Sequence, residues 1–134
     1  MNEKTMITED IELEIRRANK LDMDMIISNS APKFSSYLDE LMESMEINRS
    51  KLIHALNVDR SYGYQILNGT RIPTREHIIK IAIFSKFTLE QTQRLLKLAE
   101  RNELYVRRPE DAKIVYCLEH QLPYHEALDF ILEE

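Results

Sequence analysis

The side chains that most often do chemistry are scattered in this sequence. His54, His77, His120 and His125 stand at no metal-ligand spacing with one another or with Cys117. Cys117 lies beside Val115 and Leu118 on an apolar helix face and reads as a small core residue, so neither metal nor cofactor is expected. Glu110 and Asp111 fall at a helix start, where the dipole favours acids, and not in an acid–base dyad. No glycine-rich phosphate loop and no nucleophile–base pairing is present, so an enzyme is not expected. What is concentrated is positive charge. Between Asn48 and Lys86 stand seven basic residues (Arg49, Lys51, Arg60, Arg71, Arg75, Lys80, Lys86) and two acidic ones (Asp59, Glu76), a stretch of +5. The whole chain has a formal net charge of −5, which leaves −10 for the rest. A basic stripe on an acidic body is the layout of a phosphate-binding face, whereas a merely solvated surface would mix the signs better.

Helices must position that stripe. The chain has only 2 glycines in 134 residues, too few for the turns of a strand-rich fold, and Leu, Ile, Glu, Lys, Arg and Met dominate. The expected class is all-α. Ile7, Ile11, Ile15 and Ala18 recur at helical spacing in an acidic first helix. A mixed stretch follows over residues 21–31, broken at SNSAP, residues 28–32. Phe34, Tyr37, Leu38, Leu41, Met42 and Met45 form the next apolar stripe; Met23, Met25, Met42 and Met45 read as core filling. Asn48 caps a short helix to about Leu56, and Asn57, tolerant of left-handed backbone, ends it. Asp59 caps a second short helix that ends at Asn68-Gly69, and Thr74 opens a third after the linker Arg71-Ile72-Pro73. Thr88 and Gln91 form a capping box. Pro109 suits a first helical position, and a last helix follows Pro123.

Length fits one core with appended pieces: an N-terminal helix and connector (1–31), a central domain (32–101) and a C-terminal helical hairpin (102–134). The lone cysteine suits a reducing compartment, no apolar run approaches a membrane span, and the acidic start is unlike a signal peptide. The cytoplasm is the expected location.

Residues 47–69, INRSKLIHALNVDRSYGYQILNG, and the extension TRIPTREHIIKIAIFSKFTLEQTQRLL resemble the phage-repressor helix-turn-helix family, of the Cro and xenobiotic-response-element type. Val58, Arg60, Ser61, Asn68, Gly69, Arg71, Pro73, Ile78, Ile81 and Ala82 fall where that family places such residues. The resemblance covers about residues 34–96 and leaves both flanks unexplained. It implies a double-stranded DNA-binding transcriptional regulator acting as a homodimer, with the second motif helix, about 59–67, in the major groove. On that implication Arg60, Ser61, Tyr64 and Gln65 read base edges, Arg suiting guanine and Gln suiting adenine. Arg49, Tyr62, Asn68, Thr70, Arg71 and Arg75 would hold the phosphate backbone. Three positions depart from the pattern: Ile53 for Ala, Asn57 for Gly, and Gly63 for Ile or Val. Ile53 and Gly63 read as one exchange, a large and a small residue swapped across the helix crossing. The rival reading is a non-catalytic adaptor or antitoxin-like partner whose acidic flanks bind protein; the +5 stretch, of no use to an adaptor, favours DNA.

Overall fold

A computed structural model describes residues 8–17, 19 and 33–133. The chain divides into two units, residues 1–33 and 34–134. Within the first, α1 spans Thr8–Arg17. The connector with its break at 28–32, together with Ile7, Ala18, Met23, Met25 and the side chain of Ile11, lies outside the described residues and side chains.

The second unit is all-helical across its described residues: α2 (Phe34–Ser44), α3 (Arg49–Leu56), α4 (Arg60–Asn68), α5 (Arg75–Ser85), α6 (Leu89–Leu98), α7 (Pro109–His120) and α8 (Tyr124–Leu132). The polar residues that start these helices do so by satisfying backbone N–H groups that the helix itself leaves free. Asn48 Oδ1 accepts from Lys51 N at 2.9 Å, Asp59 Oδ2 from Ser61 N at 3.1 Å, and Thr74 Oγ1 from His77 N at 3.1 Å. Thr88 and Gln91 close their capping box in both directions.

The helix ends take an unexpected form. Glu46, Asn57, Lys86, Glu100 and Gln121 all adopt left-handed backbone, with φ between 51° and 59°. Gly69, at φ 88°, is the one glycine doing the same among the described residues. Asn57 therefore ends α3 as its type suggests, but the other four have no such local excuse. Glycine scarcity reflects helices stopped by strained ordinary residues as well as the lack of strands among the described residues.

α5 is the hub. It packs against α3, α6, α7 and α8, while α2 packs against α4 and α6. Ile78, Ile81 and Ala82 of α5 are fully enclosed with Leu38, Leu52, Ile66, Leu95 and Leu96. The C-terminal hairpin joins that same core through Leu104, Ile114, Cys117, Leu118 and Ala127. It is fastened further by Tyr124, whose hydroxyl donates to Ala55 O at 3.2 Å and whose ring meets Phe84 edge-on. Met42 fills the core as expected; Met45 is exposed.

Candidate nucleic-acid interface

The exposed face of α4 follows from which of its residues the core takes. Gly63, Ile66 and Leu67 point inward. At 3.6 residues per turn, Arg60, Tyr64, Asn68, Ser61 and Gln65 then share an outward arc of roughly 140°. The first four are exposed and Gln65 is half-buried. The Arg60 guanidinium lies over the Tyr64 ring, 5.7 Å from its centroid, which holds both along the helix surface.

The position of α4 is set by a close crossing with α3. A Cβ added to Gly63 would come within 2.5 Å of Ile53 Cγ2 and 2.9 Å of Ile53 Cγ1. The size exchange expected from the sequence is thus a physical contact: only a residue without Cβ lets Ile53 occupy that space. The turn between the helices is three residues long, Asn57-Val58-Asp59, with Asn57 left-handed and its N–H on His54 O. At the far end, Gly69 packs on Ser35, whose Oγ lies 2.5 Å from where a Cβ would stand. Nothing in the spacing of residue types pointed to Ser35.

The linker after α4 is bound back to it. Arg71 Nε donates to Gln65 Oε1 at 3.0 Å, and Arg71 N donates to Gln65 O at 3.1 Å. The guanidinium also faces the Tyr62 ring, 5.8 Å from its centroid. Tyr62 is half-buried and meets His77 edge-on at 5.9 Å, so packing, not a free hydroxyl, defines its place. Asn68 Oδ1 accepts from Thr70 N at 2.9 Å and shapes the exposed corner. Beyond it Ile72 is 63% exposed, an apolar side chain that sequence reasoning treated as mere linker.

Two expected phosphate contacts, Arg75 and Arg49, have partners within the chain. Arg75 is turned inward: Nε donates to Asn102 O at 2.8 Å, and Nη2 reaches Glu103 O at 3.3 Å and Asp111 Oδ2 at 3.0 Å. Asp111 is buried, which is why it captures the guanidinium; it also accepts from Tyr105 N at 2.9 Å. Arg49 bridges two exposed carboxylates of α2, Asp39 at 2.8 Å and Glu43 at 3.5 Å. Lys80 pairs with Glu76, and Lys86 Nζ donates to the carbonyls of Gln121 and Leu122 at the end of α7. Of the seven basic residues in the stripe, four hold carboxylates or backbone carbonyls and Arg71 holds the Gln65 side-chain oxygen, which leaves the Lys51 and Arg60 side chains without a carboxylate or carbonyl partner among the described residues. The charge segregation seen in the sequence is therefore partly internal wiring, which residue counting alone does not distinguish from a phosphate face.

Two titrating groups are shifted by burial. His77 is pushed below its ordinary 6.5 chiefly by desolvation, with Glu76 opposing and Lys80 assisting, and its Nδ1 is buried without a hydrogen-bond partner. Cys117 is pushed up by burial, its Sγ close to Ala127 O, consistent with a core thiol. Among the described residues no cluster of three His, Cys, Asp or Glu side chains could hold a metal ion, and no helix is long and apolar enough to cross a membrane. Comparison with family models, curated proteins and solved structures gives no match to this chain.

Proposed function

We propose that this protein binds double-stranded DNA through α3 and α4 acting as a helix-turn-helix, with α4 in the major groove, and regulates transcription. The observation that carries the reading is the outward arc of Arg60, Ser61, Tyr64, Gln65 and Asn68 on a short helix held rigidly from behind by the Gly63–Ile53 contact. A groove-reading helix needs that combination: polar donors and acceptors on one face, and a fixed position so their hydrogen bonds are not spent on ordering.

The Arg71–Gln65 bond alters what this face would read. Adenine recognition by Gln uses its oxygen as acceptor and its amide N–H as donor. Here the oxygen already serves Arg71. The pair is left presenting N–H groups, a donor array suited to guanine N7 and O6 or to phosphate oxygens. Backbone contacts fall to Lys51, the Asn68–Thr70 corner and Arg71, fewer than the sequence suggested. The affinity should accordingly depend on salt with a shallow slope, about −0.9 per phosphate neutralised.

Selection of random duplexes on the purified full chain, followed by binding titrations at several salt concentrations, tests this. An enriched site containing guanine opposite the Gln65–Arg71 pair is the expected result. Absence of both a preferred site and salt-dependent duplex affinity would reject the DNA reading.

A further inference from the structure

Between α5, α7 and α8 lies a half-open cavity of about 440 Å³. Its walls are apolar, from Ile79 on α5, Ile114 on α7, and Leu128 and Ile131 on α8. That volume is in the range of small-molecule sites, about 300–1,000 Å³, which typically combine apolar walls with a few converging polar groups. Here the polar groups are on α5: Arg75, Lys80 and Glu76 also line the space.

The state of Arg75 identifies the complementary chemistry. Its Nε serves Asn102 O, and its Nη2 serves Glu103 O and Asp111 Oδ2. Among the described residues Nη1 has no hydrogen-bond partner, although the guanidinium is fixed in place by the other three bonds. A guanidinium so held offers a preoriented donor at little entropic cost. Lys80 is bridged to Glu76 at 3.1 Å, but Glu76 is 74% exposed, so that pair is weak and readily shared.

We propose that this cavity binds a small amphipathic carboxylate of the medium-chain fatty acid class. The carboxylate sits at Arg75 Nη1 and Lys80, and the alkyl tail lies along Ile79, Ile114, Leu128 and Ile131. The site is independent of the DNA reading and would stand if that reading failed.

Octanoate, below its micellar concentration, is the probe; octanol is the neutral comparator of equal length. Calorimetric titration of the full chain should give saturable one-to-one binding, with a melting temperature that rises with octanoate. Octanol and the Lys80→Glu variant should each bind about tenfold more weakly, the size of one lost charge-assisted hydrogen bond. Leu128→Trp, checked by circular dichroism for retained helicity, should abolish binding by filling the tail channel; should it not fold, Lys80→Glu carries the test alone. No saturable heat, or equal affinity for octanol, overturns the proposal. Sedimentation velocity covers the other occupant: a dimer that octanoate dissociates would assign the groove to a second copy and overturn it as well.

Discussion

Gly63 and Ile53 share one space: a methyl on the first would stand 2.5 Å from Cγ2 of the second. Ile53 is 3% exposed and β-branched, so it has little freedom to move aside. Gly63→Ala should therefore destabilise the protein although alanine is the better helix former by about 1 kcal/mol. Gly63→Val should cost about 1–3 kcal/mol by overpacking, and Ile53→Ala about 2–5 kcal/mol by leaving a cavity. Combining the two should recover much of the sum, and urea denaturation of the four proteins measures it. Additive losses would mean that the contact does not govern the crossing.

Gln65 and Arg71 act as one unit because of their 3.0 Å bond. Single alanine substitutions should each weaken binding to the selected duplex by about 1–3 kcal/mol, and Arg71→Ala should also reduce the salt slope by about one unit. The double variant should lose less than the sum of the singles. Independent, additive losses in a titration series would show that the bond breaks on docking.

Replacing strained helix ends should stabilise the fold. Glu46 and Glu100 are exposed and left-handed, at φ 55° and 58°. Glu46→Gly and Glu100→Gly should each add about 1 kcal/mol, the lower end of the left-handed penalty for a residue with Cβ. The sites end different helices, so the gains should add in thermal or chemical unfolding.

Acid should weaken the protein through His77. Its folded-state pKa lies below 6.5 because the ring is desolvated against Tyr62. Below 6.5 the unfolded chain takes up a proton that the folded chain refuses, so this stability is full above 6.5 and is lost as pH falls through the folded value. Unfolding free energies measured from about pH 7.5 to about pH 5.5 should decline, and His77→Phe should flatten part of that decline. An unchanged slope in the variant would place the acid sensitivity elsewhere.

The elements were readable because their signals are local. Asn48, Asp59, Thr74 and Thr88 each start a helix through atoms two or three residues away, Pro109 does so through its fixed φ at the first helical position, and the apolar period marks the inward faces. The outward arc of α4 was readable for the same reason. The inward bonds of Arg75 were not readable because its partner is distant: Asp111 is 36 positions beyond it, and burial, not spacing, makes it the stronger attractor. Arg71 and Gln65 are only six positions apart, but their pairing depends on the left-handed turn at Gly69 that folds the linker back.

The inward turn of Arg75 also orders events in time. The first residue of α5 is secured by carbonyls at 102 and 103 and a carboxylate at 111, all made later by the ribosome. A nascent chain that has just exposed α3, α4 and the linker still lacks the groups that fix the start of α5. The start of α5 can take its final bonds only after α7 has begun to emerge, so a stalled or prematurely released chain would carry α5 without that anchor.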